Sequence, residues 1–129
     1  MIYVLDTHPI VWFVEKSQRL APAAKAVMED ANAELVIPTM ALVEIQYLYG
    51  KGRVKTEFAS VQRDLISATN CTVYPLDEQV VSLIPTKLNI HDAIMVATAL
   101  VYRDLFQLPT TLVTKDGDIT DSGLIQTVW

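Results

Sequence analysis

The chain has 129 residues, of which 51% are hydrophobic, and its formal net charge at pH 7 is −5. This length predicts a single domain, residues 1–129, with its own core, and the composition excludes a solvated disordered segment. The single cysteine, Cys71, excludes an intrachain disulfide and a zinc site built from cysteines. The negative charge weighs against broad electrostatic binding to nucleic acid, so any such binding has to rest on local contacts.

The apolar N-terminal run, residues 2–14, is predicted to belong to the core and not to a secretory signal. Asp6, His8 and Pro9 interrupt it, and no basic segment precedes it. No uninterrupted apolar stretch reaches the roughly 20 residues that a membrane-spanning helix needs. Together with the low cysteine content, these features predict a soluble protein of the reducing cytoplasm with no membrane association.

In the first half of the chain, short apolar runs alternate with helical patterns. Residues 2–5 predict a buried parallel strand, followed by a helix to about Glu15 that Asp6 or Thr7 caps. A second helix is expected over residues 22–28 and a second strand over residues 35–37. Residues 39–50 predict a helix with one apolar stripe. The members of that stripe are Met40, Val43, Tyr47 and Leu48.

The second half continues the alternation. The helical spacing of Val54, Phe58, Val61 and Leu65 predicts an amphipathic helix. Further elements are expected as a strand over 72–74, a short helix after Asp77, a helix over 91–103, and strands over 111–114 and 125–129. The alternation predicts an α/β fold with a mainly parallel sheet and helices on both faces. Ligands of such sheets bind beyond the carboxyl ends of the strands.

Acidic side chains stand where such a crevice would form. Asp6 follows the first predicted strand, and Asp116 follows the strand over 111–114. Glu44 lies within the predicted apolar stripe of the 39–50 helix, and Asp92 precedes ten uncharged residues. Simpler interpretations also exist, because Asp6 and Asp92 could cap helices and the acids around Gly117 fit a turn. Glu44 is the acid that a solvent-exposed helix face explains least well.

The surroundings of these acids favour a bound cation. An ionised carboxylate that is buried without a partner costs several kcal/mol or more, and Lys115 is the only basic residue next to any of them. If the acids converge, their mutual repulsion makes a hard divalent ion the natural counter-charge. Ligands that are all oxygen favour magnesium or manganese, whereas zinc usually recruits histidine or cysteine.

Several segments together resemble one known family. Residues 3–8 (YVLDTH), 41–45 (ALVEI), 91–99 (HDAIMVATA) and 112–116 (LVTKD) are similar, in order and spacing, to the acid-bearing segments of PIN domains. Within that family they resemble the VapC-like toxins of type II toxin-antitoxin systems. The resemblance implies a three-layer α/β/α sandwich and endonucleolytic cleavage of RNA by a Mg²⁺- or Mn²⁺-dependent enzyme. It also implies a homodimer and a small antitoxin partner.

The resemblance also implies roles for individual residues. The metal would be held by Asp6, Glu44, Asp92 and Asp116. Thr114 would orient a ligand or a water from behind the metal ligands. Asp118 could assist or replace Asp116, since both flank Gly117.

Contacts to RNA are less well defined by the sequence. Lys51, Arg53 and Lys55 form a short basic cluster, and Lys115 lies beside the predicted site. For the cluster, a solvated helix start is at least as good an interpretation. Histidines such as His8 and His91 more often serve structure than substrate, and aromatic residues such as Trp12 more often belong to a core or an interface.

Two other kinds of function remain open at this point. A phosphate-handling α/β domain, either an aspartyl phosphatase or a receiver, also places an aspartate after a parallel strand. The phosphatase pattern requires a second acid where His8 stands, and a receiver usually begins with adjacent acids, of which Asp6 is only one. The second alternative is a non-catalytic PIN-like binding module whose acids are structural.

Overall fold

The computed structural model describes all 129 residues, and its centre is a five-stranded parallel sheet with strand order β3-β2-β1-β4-β5. The strands are β1 (Ile2–Leu5), β2 (Glu34–Pro38), β3 (Cys71–Tyr74), β4 (Thr110–Val113) and β5 (Gln126–Val128). The helices are α1 (Thr7–Val14), α2 (Pro22–Glu29), α3 (Thr39–Gly50), α4 (Phe58–Val61), α5 (Glu78–Ser82), α6 (Ile90–Leu100) and α7 (Gly117–Ser122). Two helices end in a π-helical turn, α4 over Gln62–Ile66 and α6 over Val101–Leu105.

The central strand, β1, determines where a ligand can bind. Val4 pairs in register with Val36 of β2 on one side and with Leu112 of β4 on the other, and all three side chains are buried. Strands buried on both faces are expected to be continuously apolar, as β1 is. From β1 the chain first adds β2 and β3 on one side of β1, and later adds β4 and β5 on the other side. Because the connections from β1 and β4 diverge at this switch in strand order, a crevice opens at the carboxyl ends of β1 and β4.

Helices cover both faces of the sheet, so the predicted three-layer sandwich is confirmed. Alternate residues of β1 face opposite layers. Leu5 belongs to a core shared with α1 to α4, which includes Ile10 and Ile45. Val4 belongs to a second core, formed with α6 and α7, which includes Val96 and Ile119. No helix combines the length and the apolar character needed to cross a membrane.

The predicted apolar stripe of α3 is wrong in part. Val43 is 54% exposed and Tyr47 is 61% exposed, whereas Ala41 and Ile45 form the buried face. Apolar residues occur on both sides of this helix, so periodicity alone did not separate the core face from the solvent face. Glu44 therefore lies at the edge of the buried face, where its carboxylate can reach the crevice.

The helix predicted from Val54 begins only at Phe58. The backbone N–H of Lys55 and the hydroxyl of Thr56 both donate to the Glu15 carboxylate, at 3.1 and 2.7 Å. This contact between distant parts of the chain holds the segment in a non-helical conformation. Local helical spacing could not reveal it.

The turn considered around Gly117 is instead the first turn of α7. Asp116 caps this helix through a hydrogen bond from the N–H of Ile119, at 3.0 Å. The helix ends at Gly123, whose φ of 66° is a left-handed conformation that glycine adopts without a steric penalty.

Candidate active site

A groove of about 490 Å³ lies at the carboxyl ends of β1 and β4 and gathers the four predicted acids. Its lining consists of Asp6, His8, Trp12, Glu44, Asn89, His91, Asp92, Lys115 and Asp116. Side chains from four separate chain segments therefore meet at one edge of the sheet. This is the arrangement expected from the order and spacing of the acids.

Asp6 caps α1 and lines the groove at the same time, so its role as a cap does not exclude it from the site. One carboxylate oxygen accepts the N–H of Thr7 at 2.8 Å. The other accepts the hydroxyl of Thr114 at 2.7 Å, and Thr114 is only 1% exposed. These two donors fix the direction of the Asp6 carboxylate. Thr114 therefore contacts one of the predicted metal ligands directly.

Glu44 is held by Thr7, which the sequence suggested only as a possible cap of α1. The hydroxyl of Thr7, itself 1% exposed, donates to Oε2 of Glu44 at 2.9 Å. The other oxygen, Oε1, lies 3.5 Å from Nδ1 of His91, and the Glu44 side chain is 22% exposed. Thr7 thus bonds to Asp6 with its backbone and to Glu44 with its side chain. The sequence feature that could have indicated this role is the position of Thr7, a hydroxyl residue directly after the acid that ends β1.

Asp92 is oriented by Asn89, which the sequence analysis also missed. Asn89 caps α6 by accepting the N–H of Asp92 at 3.0 Å, and its side-chain amide donates to Oδ2 of Asp92 at 2.8 Å. The interpretation of Asp92 as a cap is therefore wrong. An asparagine three residues before an acid was the signal for a cap at this position. Asp92 sits in the first turn, where the helix dipole favours a negative charge.

The fourth acid is linked to the first through Thr114. The N–H of Asp116 donates to Oγ1 of Thr114 at 3.0 Å, and the same hydroxyl donates to Asp6. One buried threonine therefore connects the acids that follow β1 and β4. The bond to Asp116 fixes its backbone beside Asp6, and the N–H of Ile119 orients its carboxylate.

The acids influence one another electrostatically. Burial is the main cause that raises the pKa of Asp6, and the charge of Glu44 raises it further, against the lowering effect of the Thr114 and Thr7 hydrogen bonds. The pKa of Asp92 is also raised, first by burial and then by the charge of Asp116. Asp6 adds a smaller contribution to that shift. Gathering these carboxylates therefore has an electrostatic cost that a cation would offset.

Two predicted sets of residues lie outside the groove. Asp118 is exposed and lines a different depression, beside Asp121. The basic cluster Lys51, Arg53 and Lys55 does not line the groove either. The Lys51 ammonium lies 5.6 Å from the centre of the Tyr47 ring on the outer side of α3. Of the basic residues predicted to contact RNA, the structure brings only Lys115 to the acids.

The family model for the PIN domain matches residues 3–122. The chain belongs to the PIN-domain family. No curated protein matches its sequence. All four acids of the groove, Asp6, Glu44, Asp92 and Asp116, lie within the residues that the family model matches.

Chains from solved toxin-antitoxin complexes share this fold along nearly their whole length. VapBC2 from Rickettsia felis, bound to a DNA fragment from its promoter, matches with a TM-score of 0.67 and 16% identity over 99% of this chain and 98% of the other. A toxin-antitoxin complex from Klebsiella pneumoniae matches with a TM-score of 0.66 and 18% identity, over 98% of this chain and 96% of the other. VapBC-1 from nontypeable Haemophilus influenzae matches with a TM-score of 0.60 and 19% identity, over 99% of this chain and 97% of the other. At these identities the likeness concerns the fold.

The acids of this PIN domain are suitable ligands for a hard divalent ion, although their carboxylates are not positioned to coordinate a single ion together. The acids offer only carboxylate oxygens, the ligands that magnesium and manganese prefer. No three His, Cys, Asp or Glu side chains stand close enough together to hold a metal as placed. Each acid accepts a hydrogen bond and still keeps free lone pairs. Modest side-chain rotation is therefore what metal binding would require.

Replacing Asp92 by Asn is expected to stabilise the metal-free PIN domain at neutral pH. Because the folded state raises the pKa of Asp92, it holds the proton more readily than the unfolded chain does. Its contribution to stability therefore falls as pH rises above the unfolded pKa and through the folded one. Chemical denaturation in chelator should show the Asp92→Asn variant as the more stable protein at neutral pH, with the difference vanishing below the unfolded pKa of the carboxyl group, at about pH 3.

The matched control is Asp104→Asn. Asp104 is paired with Arg103 on the surface, and that hydrogen bond lowers its pKa, so the charge of Asp104 is favourable in the folded state. This substitution should give a small loss of stability at neutral pH, the opposite sign. A destabilised Asp92→Asn protein at neutral pH would show that the charge of Asp92 is not unfavourable in the folded state.

Proposed function

We propose that this PIN domain is a divalent-metal-dependent endoribonuclease that acts as the toxin of a toxin-antitoxin pair. The observation that carries the proposal is the meeting of four carboxylates, from four segments of the chain, in one groove at the carboxyl edge of the sheet. Membership of the PIN family and the shared fold with toxin-antitoxin complexes support it.

The chain's own residues would bind and orient the reacting groups. Asp6, Glu44, Asp92 and Asp116 would hold Mg²⁺ or Mn²⁺. Such an ion, when bound, supplies positive charge to the phosphodiester and acidifies a water for in-line attack. Behind the acids, Thr114 fixes Asp6, Thr7 fixes Glu44 and Asn89 fixes Asp92. These hydrogen bonds keep the carboxylates directed at the groove, so less reorganisation is needed when substrate binds.

Lys115 gives the acidic groove its attraction for a phosphate. It is the only lysine or arginine in the lining, and its ammonium lies 5.7 Å from the centre of the Trp12 ring. In a chain of net charge −5, such a local cation is needed beside the scissile phosphate. Lys115 would therefore bind the RNA backbone next to the acids.

The outer surface of α3 and α4 supports a protein partner as part of the proposal. Exposed Val43, Tyr47 and Phe58 line a groove of about 830 Å³. Neighbouring exposed apolar side chains of this kind are typical of protein interfaces. An antitoxin, or the second copy of a homodimer, would cover them.

Membership of the PIN family favours a nuclease over the phosphatase or receiver alternative. The residue at the position of a phosphatase's second acid, His8, is exposed and offers no carboxylate. A PIN domain that binds without cleaving remains the competing function. For such a binding module we expect no RNA cleavage by the wild-type protein, and therefore no loss of cleavage when the acids are replaced.

The direct test is to incubate the purified protein with total cellular RNA in Mg²⁺, in Mn²⁺ and in chelator. We expect cleavage with either ion, none in chelator, and recovery when Mg²⁺ is added back in excess. The Glu44→Gln variant should be inactive throughout, whereas Gln46→Glu, on the exposed side of the same helix, should behave as the wild type. Cleavage that persists in chelator or in Glu44→Gln would rule out the mechanism, and no cleavage in any condition would favour a binding module.

Replacing Thr7 by Val is expected to lower kcat about ten-fold or more while changing KM little. Valine fills the same buried space but removes the hydroxyl that holds Glu44. Thr7→Ser keeps the hydroxyl and should retain most activity. Single-turnover cleavage of one RNA by the three proteins measures this. Equal rates for the valine and serine variants would show that Thr7 serves only packing.

A further inference from the structure

Trp129 directly follows β5 and packs against Trp12, an aromatic residue that lines the acidic groove. The centres of the two indole rings are 5.6 Å apart, and the ring planes lie at 61° to each other. On its groove side, the Trp12 ring lies 5.4 Å from that of His8, centre to centre. Trp12 and His8 line the groove, whereas Trp129 does not. Trp129 is therefore one contact removed from the site.

The pairing of β4 with β5 explains why Trp129 lies beside this part of the groove. Val128, the last residue of β5, is in register with the last residue of β4, and its carbonyl accepts the N–H of Thr114 at 3.2 Å. The two strands are parallel, so the residues that follow them leave the sheet at the same edge. Lys115 and Trp129 thus reach the same ring, that of Trp12, from neighbouring strands.

The position of the Lys115 ammonium depends on the Trp12 ring. Its Nζ lies 5.7 Å from the centre of that ring, and none of the ion pairs in the structure involves Lys115. A cation is attracted to the negative face of an indole. A lysine side chain is otherwise flexible, with many conformations of similar energy. Whatever holds the Trp12 ring in place therefore also determines where this ammonium lies.

Trp129 is well placed to hold that ring. Trp12 is only partly buried, and it borders open space on two sides, the acidic groove and a second pocket of about 330 Å³. Aromatic pairs with an edge directed at a face attract each other beyond the simple burial of their surfaces. Without Trp129, the Trp12 ring would have room to turn, and Lys115 would lose its fixed partner.

We propose that Trp129 is a positioning residue of the acidic groove, which acts through the Trp12 ring on the ammonium of Lys115. The structural part of this inference concerns the protein alone. Its consequence for RNA rests on the proposed nuclease function, in which Lys115 binds the RNA backbone. Loss of Trp129 then weakens the binding of substrate and raises KM. The acids and their metal are not contacted by Trp129, so kcat changes little.

The structural part is tested by NMR of the lysine side chains, with no RNA present. Reductive methylation with ¹³C-formaldehyde labels each lysine nitrogen and keeps its positive charge. The ring current of Trp12 should displace the Lys115 signal from that of a free lysine, and Lys115→Arg identifies this signal by removing it. Trp129→Leu should move the signal most of the way to the free position. Trp129→Phe, which keeps an aromatic contact, should leave it nearly unchanged.

The same spectra contain an internal control. Lys51 lies 5.6 Å from the centre of the Tyr47 ring, on the outer side of α3, and its signal should be the same in every variant of Trp129. A Lys115 signal that already has the free position in the wild type, or that does not move in Trp129→Leu, would overturn the inference.

The kinetic part is tested by a double-mutant cycle on the cleavage of one labelled RNA. Trp129→Leu should raise KM about three-fold and leave kcat within about two-fold of the wild type. Trp129→Phe should restore the wild-type KM. In a Lys115→Gln background, Trp129→Leu should raise KM no further, because the group that Trp129 positions is already gone. An equal rise of KM in both backgrounds would overturn the inference.

The control for lost packing is Tyr3→Leu. Tyr3 is an aromatic residue of β1 that packs against the same core as Trp129 and does not line the groove. This substitution should leave KM unchanged, including when its Tm falls as far as that of Trp129→Leu. A matching rise of KM in Tyr3→Leu would show that general loosening of the core explains the effect, and would overturn the inference.

The two experiments keep this inference separate from the proposed nuclease activity. A Lys115 signal that responds to Trp129→Leu, in a protein that never cleaves RNA, upholds the structural part and overturns the nuclease. A protein that cleaves RNA with the same KM with or without Trp129 upholds the nuclease and overturns the inference. A protein that does not cleave, and whose Lys115 signal ignores Trp129, overturns both.

Discussion

Replacing Asp6 by Asn is expected to reduce RNA cleavage at least about a hundred-fold while leaving the fold intact. The amide oxygen can still accept the N–H of Thr7, and the Thr114 hydroxyl can turn to accept from the new amide group. Only the negative charge, and with it the strongest metal ligand at the end of β1, is lost. Initial rates on a labelled RNA, with Tm and circular dichroism as checks of folding, measure the effect.

The control for Asp6→Asn is Asp104→Asn, which makes the same chemical change at the other end of the molecule. Asp104 follows α6, which starts at the groove and runs away from it. Its loss should leave the rate within about two-fold of the wild type, as expected for a surface ion pair. Similar loss of activity in both variants would indicate that overall charge matters and not the groove.

Mg²⁺ or Mn²⁺ is expected to raise the Tm of the wild-type protein by about 5–10 °C when its concentration is about a hundred times Kd. A ligand that binds only the folded state at that excess adds about 2.7 kcal/mol. The ion would offset the cost of burying the charges of Asp6 and Asp92 and their repulsion by neighbouring carboxylates, and this gain enters through a lower Kd. Thermal denaturation across a series of metal concentrations provides the measurement.

Replacing the three acids in and before α7 one at a time shows which of them take part in the rise of Tm caused by the metal. Asp116→Asn should lose most of the shift, because Asp116 lines the groove. Asp118→Asn and Asp121→Asn, both exposed and outside it, should keep the shift. Equal shifts for all three variants and the wild type would mean that the ion binds elsewhere. A lost shift in Asp118→Asn would instead restore Asp118 as a ligand.

The fold could be predicted from sequence where local patterns and the rules of parallel sheets agree. β1 ends directly before Asp6, as expected, because an apolar run and a capping acid meet there. The start of α4 could not be predicted, because Glu15 holds the preceding segment from forty residues away. The exposed side of α3 was missed because Val43 and Tyr47 are apolar without being buried.

The acids that line the groove could be predicted from the sequence, whereas two of the three side chains that orient them could not. Each acid could be found from its position in an apolar context, as Glu44 shows by lying between buried Ala41 and Ile45. The residues that orient the acids, Thr7 and Asn89, make contacts that depend on side-chain direction in three dimensions. Their sequence signals are ordinary capping residues, which occur before many helices with no site nearby.

Anomalous diffraction from crystals of the wild-type protein soaked in Mn²⁺ shows directly whether the four acids hold a metal ion. We expect an anomalous peak in the groove, within ligand distance, about 2.0–2.3 Å, of carboxylate oxygens from at least two of Asp6, Glu44, Asp92 and Asp116. The peak should disappear in Asp6→Asn crystals soaked in the same way. A groove without a peak, at a Mn²⁺ concentration that supports RNA cleavage in solution, would show that these acids do not form the metal site.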